Sequence, residues 1–310
     1  MDKQYNISTV IVTFNRSALL KRCIDAVNSQ TYKPAHVYIM DNASTDGTMD
    51  SVKNWGFYRT TIDGTQWHYI LNNKNEGGAG GFYKGMKIAF EETNPDALWV
   101  MDDDGQPDKD CLKNLTEYLD RYDYLSPIVV AEEDEELMSF ARMSKTEFLQ
   151  QSKDGKTVKR YANPFNGILY SARLINTIGY PKKEMFIWGD EINYDLRAEL
   201  AGFIPYTICN AIHIHPKDRQ KWIVILKYIR TVEANSDWKL YCFIRNQIYN
   251  YSLQYKDSWK LWPKRLMLYV GYIYYFRKKK ELSKKIKMLN DAFFSGIKGN
   301  FSGLSKYFNL

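Results

Sequence analysis

Leu98-Trp-Val-Met-Asp-Asp-Asp-Gly-Gln-Pro107 decides how this chain is read. Leu98–Met101 is an apolar run of strand type, and Gly105 and Pro107 stop it. Between them stand Asp102, Asp103 and Asp104. Alternate side chains of a strand share a face, so Asp102 and Asp104 are expected to converge while Asp103 points elsewhere. Three crowded carboxylates need a counter-charge, and a divalent cation is the simplest one. Hard carboxylate oxygens suit Mg²⁺ or Mn²⁺, and such ions usually also hold a substrate's phosphates. Three aspartates alone also read as a solvated acidic turn. The flanking segments weigh against that reading.

Upstream, Ile7-Ser-Thr-Val-Ile-Val12 is a β-branched run that reads as the first strand, and Thr13-Phe-Asn-Arg16 breaks it. Ser17 is placed to N-cap a helix reaching about Ser29, with Leu19, Leu20, Cys23, Ile24 and Val27 at helical spacing. His36–Met40 is the second strand and ends in Asp41-Asn-Ala-Ser-Thr-Asp-Gly-Thr48, where Asp46 is placed to cap the next helix. Trp67–Leu71 is the third strand. Asn75-Glu-Gly-Gly-Ala-Gly-Gly81 follows, then a helix to about Glu92, then the strand that carries the aspartates. Strands alternating with helices imply βαβ units and an α/β fold with a mainly parallel sheet. Such sheets bind ligands at the carboxyl ends of their strands. Thr13–Arg16, Asp41, the glycine-rich loop and the three aspartates all fall at those ends. Glycines such as Gly77 and Gly78 let backbone N–H groups approach a phosphate. The loop matches neither the phosphate-loop pattern nor a dinucleotide fingerprint after the first strand, which weakens ATPase and dinucleotide readings.

Downstream, Cys111–Tyr122 reads as helix and Ser126–Val130 as a short strand. Residues 132–160 read as an exposed excursion with little chemistry. Asn163–Tyr170 is strand-like, with a short helix after it to Ile178. Trp188-Gly189-Asp190-Glu191 leads into a helix, Ile192–Leu200, that stops at Gly202. Its carboxylates suit the helix macrodipole, or one of them serves as a general base. Ile204–His215 is again strand-like. His213 and His215 share one face, where an imidazole near a carboxylate-bound metal can be a further ligand.

Charge divides the chain. Residues 221–310 hold 18 Lys and Arg against 5 Asp and Glu, a net of +13, while the first 220 hold 25 against 31, a net of −6. Four scattered cysteines form no C-x-x-C pair, so neither a zinc site nor a disulfide framework is expected, and a reducing compartment is. The chain enters its first strand almost at once, and no signal peptide is expected. The longest apolar run, Leu266–Phe276, is too short to span a bilayer. Around it lie Trp259, Trp262, Lys264, Arg265 and the run Arg277-Lys-Lys-Lys280, a composition suited to a membrane interface. The competing reading packs these helices on the catalytic domain or into a homo-oligomer. A basic patch with aromatics also suits nucleic acid, but the acidic front half argues against that partner.

Ile-Val-Thr-Phe-Asn-Arg16, Asp41-Asn-Ala-Ser-Thr-Asp-Gly-Thr48, Asp102-Asp-Asp104 and Trp188-Gly-Asp-Glu191, in this order, resemble the inverting family 2 glycosyltransferases of GT-A fold. The resemblance covers roughly residues 5 to 216. With Asn75-Glu-Gly-Gly-Ala-Gly-Gly-Phe82 added, the pattern looks most like bacterial galactofuranosyltransferases, with rhamnosyltransferases as near relatives. It implies that Thr13, Asn15, Arg16 and Asp41 occupy uridine-binding positions, with Asn75, Gly77, Gly78 and Asp103 on the nucleotide-sugar side. Asp102 and Asp104 match a metal-binding D-x-D for Mn²⁺ or Mg²⁺. His215, with His213 second, matches a histidine that meets metal and diphosphate. Asp190 matches the catalytic base, with Glu191 beside it. Phe165, Asn166, Gly167 and Trp188 fall on the acceptor side. The family often has a second acidic residue where Gly189 stands, so Asp190 is the more isolated as base. Tyr241-x-x-x-Arg-Asn246 also recurs in such enzymes.

These features imply a catalytic domain over residues 1–220, its nucleotide-sugar half about 1–105 and its acceptor half about 106–220. A helical, basic and aromatic region over 221–310 follows. The implied enzyme moves a sugar, galactofuranose foremost, from a nucleotide-diphosphate donor to a hydroxyl of a growing, polyprenyl-pyrophosphate-linked cell-surface glycan such as an O-antigen or capsule. It would work on the cytoplasmic face of the membrane. A dTDP-rhamnose-dependent enzyme and a non-catalytic sugar-nucleotide-binding scaffold are the alternatives. A nucleotidyltransferase is weaker still, because no basic phosphate loop lies near the first strand.

Overall fold

A computed structural model describes residues 3–217, 221–225, 229–234, 236–256 and 258–307. The chain packs as two compact units, one of residues 1–181 and 198–218, the other of 182–197 and 219–310. The sequence motifs set a boundary near residue 220, whereas segment 182–197 packs with the carboxyl-terminal residues.

The first unit opens with β1 (Ile7–Thr13), α1 (Ser17–Asn28), β2 (His36–Asp41) and α2 (Thr48–Asn54). A short hairpin of β3 (Thr60–Ile62) and β4 (Thr65–Leu71) follows, then α3 (Gly77–Thr93) and β5 (Ala97–Asp102). The strand expected from Trp67 begins at Thr65 and pairs back onto β3. After β5 come β6 (Gln106–Pro107), α4 (Cys111–Thr116), β7 (Tyr124–Ala131), β8 (Asp134–Met138), α5 (Lys145–Leu149), β9 (Thr157–Lys159), β10 (Asn166–Ser171) and α6 (Ala172–Ile178). Helix α7 (Asp190–Leu200) and strand β11 (Tyr206–His215) complete the order to residue 217.

The strands form one sheet in the order β3-β4-β2-β1-β5-β10-β7-β11-β6, with β8 on β7 and β9 on β11. β4, β2, β1 and β5 are mutually parallel, β10 runs antiparallel to β5 and β7, and β11 is parallel to β7. The mainly parallel α/β sheet expected from the βαβ spacing is therefore present. Successive strands leave β1 in opposite directions, to β2 on one side and β5 on the other. That reversal opens a crevice at their carboxyl ends. In register, Thr13 lies beside Asp41, and Val12 beside Asp102.

One face of the sheet buries Ile7, Ile11, Val37, Ile39, Trp67 and Trp99 against Leu20, Ile24 and Val27 of α1. On the other face, glycines of α3 allow very close packing. A β-carbon at Gly81 would fall 2.5 Å from Val12 Cγ1, and one at Gly85 2.6 Å from Val10 Cγ1. Helix α4 ends at Thr116, earlier than its apolar spacing implied. Tyr118, Leu119 and Arg121 donate to carbonyls three residues back, so the chain tightens out of the α-helix.

The second unit adds a hairpin of β12 (Lys221–Ile225) and β13 (Ile229–Glu233), then α8 (Asp237–Gln254), α9 (Leu261–Phe276) and α10 (Leu282–Lys298). Leu240, Ile244 and Ile248 of α8, Leu268, Tyr272 and Phe276 of α9, and Met288 and Leu289 of α10 share its core. Among the described residues, no helix is long and apolar enough to cross a membrane. All four cysteines are free.

Candidate active site

In the first unit, the end of β5 gathers the polar groups. Asp102 closes the strand, and Asp103 and Asp104 lie in the turn after it. Strand alternation therefore stops at Asp102, and the expectation that Asp103 points away from Asp104 is corrected. Arg16 Nη1 sits 3.2 Å from Asp103 Oδ1 and 3.0 Å from Asp104 Oδ2, bridging the two. Asp103 is buried and accepts from Thr13 Oγ1 at 2.7 Å. Burial pushes its pKa up to about 6, against the pull of Arg16 and the Thr13 hydrogen bond. Burial acts in the same sense on Asp104, but His215 and Arg16 outweigh it and hold that carboxyl below its usual value.

His215 meets this cluster from the end of β11, with Nε2 3.1 Å from Asp104 Oδ1. Its Nδ1 lies 2.6 Å from the Pro216 carbonyl and 3.3 Å from Ser139 Oγ. A carbonyl only accepts, so Nδ1 carries a proton and Nε2 is the ring nitrogen that faces the carboxylate. An imidazole nitrogen and a carboxylate oxygen this close hydrogen-bond to each other, and with Nε2 unprotonated the same pair is a donor set that fits a divalent ion. Among the described residues no three His, Cys, Asp or Glu side chains close a metal site by themselves. Mg²⁺ in particular takes one or two carboxylates and draws its remaining ligands from water and substrate phosphates.

His213 shares the strand face with His215 but is sealed. Its ring fills the space that Gly105 and Gly167 leave. A β-carbon would fall 2.2 Å from Nε2 at the first position and 2.7 Å from Nδ1 at the second. Among the described residues neither ring nitrogen has a hydrogen-bond partner, and burial lowers the pKa to about 3. Of the two histidines, His215 is the one the fold brings to Asp104.

The neighbouring motifs are mostly occupied internally. Asp41 is fully buried, accepting from the Ser44 N–H at 2.7 Å and from the Tyr69 hydroxyl. Asn15 accepts from the Thr45 N–H at 2.7 Å through Oδ1. Ser17 is the first residue of α1 and supplies no cap. Instead Asp46 accepts from the N–H groups of Ser17 and Thr48, serving the starts of both α1 and α2. The glycine-rich stretch lies largely inside α3. The Gly77 N–H donates to Asn75 Oδ1 at 2.8 Å and its carbonyl accepts from Asn42, so a Gly77 phosphate contact is not available in this arrangement. A β-carbon on Gly78 would meet nothing within 4 Å.

On the acceptor-side segment, the Phe165 carbonyl accepts from the Asp102 N–H at 3.1 Å, tying it to the aspartate turn. Phe165 itself is buried against Phe82, ring centroids 4.2 Å apart, and Gly167 lies at a bulge where β10 leaves β5. Asn166 donates to the Pro164 carbonyl at 3.0 Å. Residues 132–160 are not the chemically silent excursion expected. They build a small core of Met138, Phe148 and Val158. They also set Ser139 on the imidazole of His215 and the Phe140 ring 4.8 Å from it.

In the second unit, Asp190 is buried at the start of α7, and the Glu191 side chain accepts from the Gly189 N–H at 2.9 Å. The backbone before them is strained, with φ of 69° at Phe186, 59° at Trp188 and 97° at Gly189. L-residues with side chains rarely adopt such values, and they persist where the surroundings impose them. Here α8 imposes them. Asn246 Nδ2 donates to the carbonyls of Met185, Ile187 and Trp188 at 3.0, 3.0 and 2.7 Å. Buried Arg245 donates to Met185 O at 2.8 Å, and Asn250 to Gly189 O at 2.8 Å. Sequence reading noted Arg245 and Asn246 only as a recurring pattern and missed Asn250, Ser139 and Phe140. Polar residues inside an otherwise apolar helix were the available signal for Asn250. Nothing local marked Ser139 or Phe140.

Residues 8–173 match the family model described as Glycosyl transferase family 2. The chain is 28% identical over 280 residues to the galactofuranosyltransferase GlfT1 of Mycolicibacterium smegmatis, covering 86% of this chain and 89% of that protein. It is 30% identical over 221 residues to the galactofuranosyltransferase GlfT1 of Mycobacterium tuberculosis, covering 68% and 70%. Among solved structures, the mannosyltransferase PcManGT of Pyrobaculum calidifontis, in complex with GDP-Man and Mn²⁺, superposes with a TM-score of 0.55 at 14% identity, over 97% of this chain and 88% of that one. The fold is thus GT-A, and the chain belongs to glycosyltransferase family 2.

Proposed function

We propose that this family 2 glycosyltransferase moves galactofuranose from UDP-galactofuranose, with inversion, to a hydroxyl of a lipid-linked glycan at the inner membrane surface. The observation that carries the donor assignment is the identity of 28% to 30%, over most of the chain, to two galactofuranosyltransferases.

In this reading Thr13, Arg16 and Asp103 form the fixed floor of the donor site, and Asp104 and His215 would hold a divalent ion whose remaining ligands come from water and the donor's phosphates. That ion, Mn²⁺ or Mg²⁺, supplies positive charge against the departing diphosphate. The Arg16 guanidinium, already shared by Asp103 and Asp104, adds positive charge on the donor side. Asp190 takes the proton of the acceptor hydroxyl as its oxygen attacks the anomeric carbon, and the α8 asparagines hold the Met185–Gly189 segment that leads into Asp190. One attack with no covalent enzyme intermediate inverts the anomeric centre.

The test is nucleotide release from UDP-galactofuranose, UDP-galactopyranose, UDP-glucose and dTDP-rhamnose, each with Mn²⁺ or EDTA. Metal-dependent release from UDP-galactofuranose alone is expected. Preference for dTDP-rhamnose would replace the sugar and keep the mechanism. Equal turnover in EDTA would remove the metal assignment.

A further inference from the structure

Helix α9 is apolar on two opposite faces. Leu268, Gly271, Tyr272 and Phe276 are buried in the core of the second unit. Trp262, Leu266, Val270, Ile273 and Tyr274 are exposed, by 60%, 58%, 42%, 39% and 36%. At 100° per residue these five fall within an arc of about 120°, opposite the buried set. A water-facing helix carries polar residues on its outer face, whereas this one shows an unbroken aromatic and aliphatic ridge. Trp259, 80% exposed, extends the ridge by one turn.

Positive charge frames the ridge. Arg277, Lys278 and Lys280 are exposed at its carboxyl end, with the Arg277 guanidinium 3.5 Å from the Tyr274 ring centroid. Lys260 and Lys264 stand at its amino end. Glu281 is the one carboxylate in the sequence between Lys260 and Lys287, and Lys284 pairs with it at 3.6 Å. A second copy of the chain would bring the same charges to both ends, which opposes a self-complementary contact. An anionic lipid surface complements them, and Trp and Tyr favour the headgroup boundary.

We infer that α9 is an in-plane membrane-docking helix. Trp259, Trp262, Leu266, Val270 and Ile273 enter the headgroup boundary of an anionic bilayer, and Arg277, Lys278 and Lys280 sit at the phosphates, Lys279 being paired with Glu233 at 3.1 Å. The inference deepens the membrane part of the proposed function and rests on it. With 16 residues, α9 is about 24 Å long and lies along the surface rather than across it.

The test is co-sedimentation of the full-length protein with vesicles of phosphatidylcholine alone or mixed with phosphatidylglycerol. Wild type, a Leu266→Ser/Val270→Ser/Ile273→Ser variant and an Arg277→Glu/Lys278→Glu/Lys280→Glu variant are compared. The substituted side chains are surface-exposed, so circular dichroism and melting temperature should match wild type. Expected are binding to the anionic vesicles, at least about tenfold weaker binding by each variant, and weakening of wild-type binding by salt. Unchanged sedimentation of the serine variant would overturn the inference. So would a wild-type dimer that the serine variant dissolves and that binds neither vesicle, which would assign the ridge to a second copy. UDP release measured without lipid should be the same in all three proteins. Vesicle binding without UDP-sugar turnover would refute the transfer reading and leave the docking helix standing.

Discussion

Ser139 shows how a residue outside every recognisable motif acquires a role. Its hydroxyl donates to the Pro216 carbonyl at 2.9 Å and lies 3.3 Å from His215 Nδ1, so it helps fix which ring nitrogen faces Asp104. Groups that orient a ligating imidazole typically change metal affinity by ten- to a hundredfold. Ser139→Ala is expected to weaken Mn²⁺ binding about tenfold, read by calorimetry on protein without donor, with the melting temperature of the metal-free protein nearly unchanged. Wild-type Mn²⁺ affinity in this variant would show that His215 is oriented without Ser139. Asp103 makes the complementary point. Three consecutive aspartates signal a charged turn, but the sequence does not say which one is buried. The Thr13 and Arg16 contacts settle that across about ninety residues of chain.

At the level of elements, α8 and α3 each do something their spacing did not announce. α8 reads as an aromatic-rich helix, yet Arg245, Asn246 and Asn250 hold the carbonyls of the strained Trp188–Gly189 segment. Asn246→Ala removes the side-chain donor of the Ile187 and Trp188 carbonyls, while Met185 O keeps its bond from Arg245, and unsatisfied buried acceptors cost on the order of 1–3 kcal/mol each. Relaxation of the segment offsets part of this, so a loss of about 2–4 kcal/mol in denaturant unfolding is expected. Turnover should fall while the KM for the sugar nucleotide stays unchanged. An equal rise in KM would mean that the segment serves donor binding rather than the acceptor proton. In α3 the glycines suggested a phosphate loop. Gly81 and Gly85 instead let the helix settle onto Val10, Val12 and Met40. Gly81→Ala forces a methyl group against Val12 in a packed core, and a loss of about 1–3 kcal/mol is expected from chemical denaturation. An unchanged denaturation midpoint would show that the helix shifts freely.

Over the whole molecule, three of four histidines are held neutral. Burial lowers the pKa of His36, His68 and His213 below the ordinary 6.5, for His213 to about 3. At these three positions the unfolded chain binds more protons than the folded one below pH 6.5. Their contribution to stability is therefore complete above that pH and is lost as pH falls toward the folded values, while Asp103, with its pKa raised, works in the opposite sense. His213 alone accounts for a loss on the order of 5 kcal/mol between pH 6.5 and 3. Since neither of its ring nitrogens has a partner among the described residues, His213→Phe should keep stability at pH 7 and flatten this acid slope, followed by urea midpoints in EDTA. An unaltered slope would place the titration elsewhere. From the sequence alone came the βαβ order, the parallel sheet, the ligand edge, the family and the basic, aromatic tail. Each of these rests on local periodicity, on turn residues at strand ends or on composition, which neighbours in sequence specify. Tertiary structure alone decided that Arg16 bridges Asp103 and Asp104, that His215 reaches Asp104 while His213 is sealed, and that Asn246 braces the Trp188 segment. It alone showed which face of α9 is left outside the core. Those outcomes join residues far apart in the chain, and the pairing of distant polar and apolar surfaces follows from packing, which no local pattern encodes.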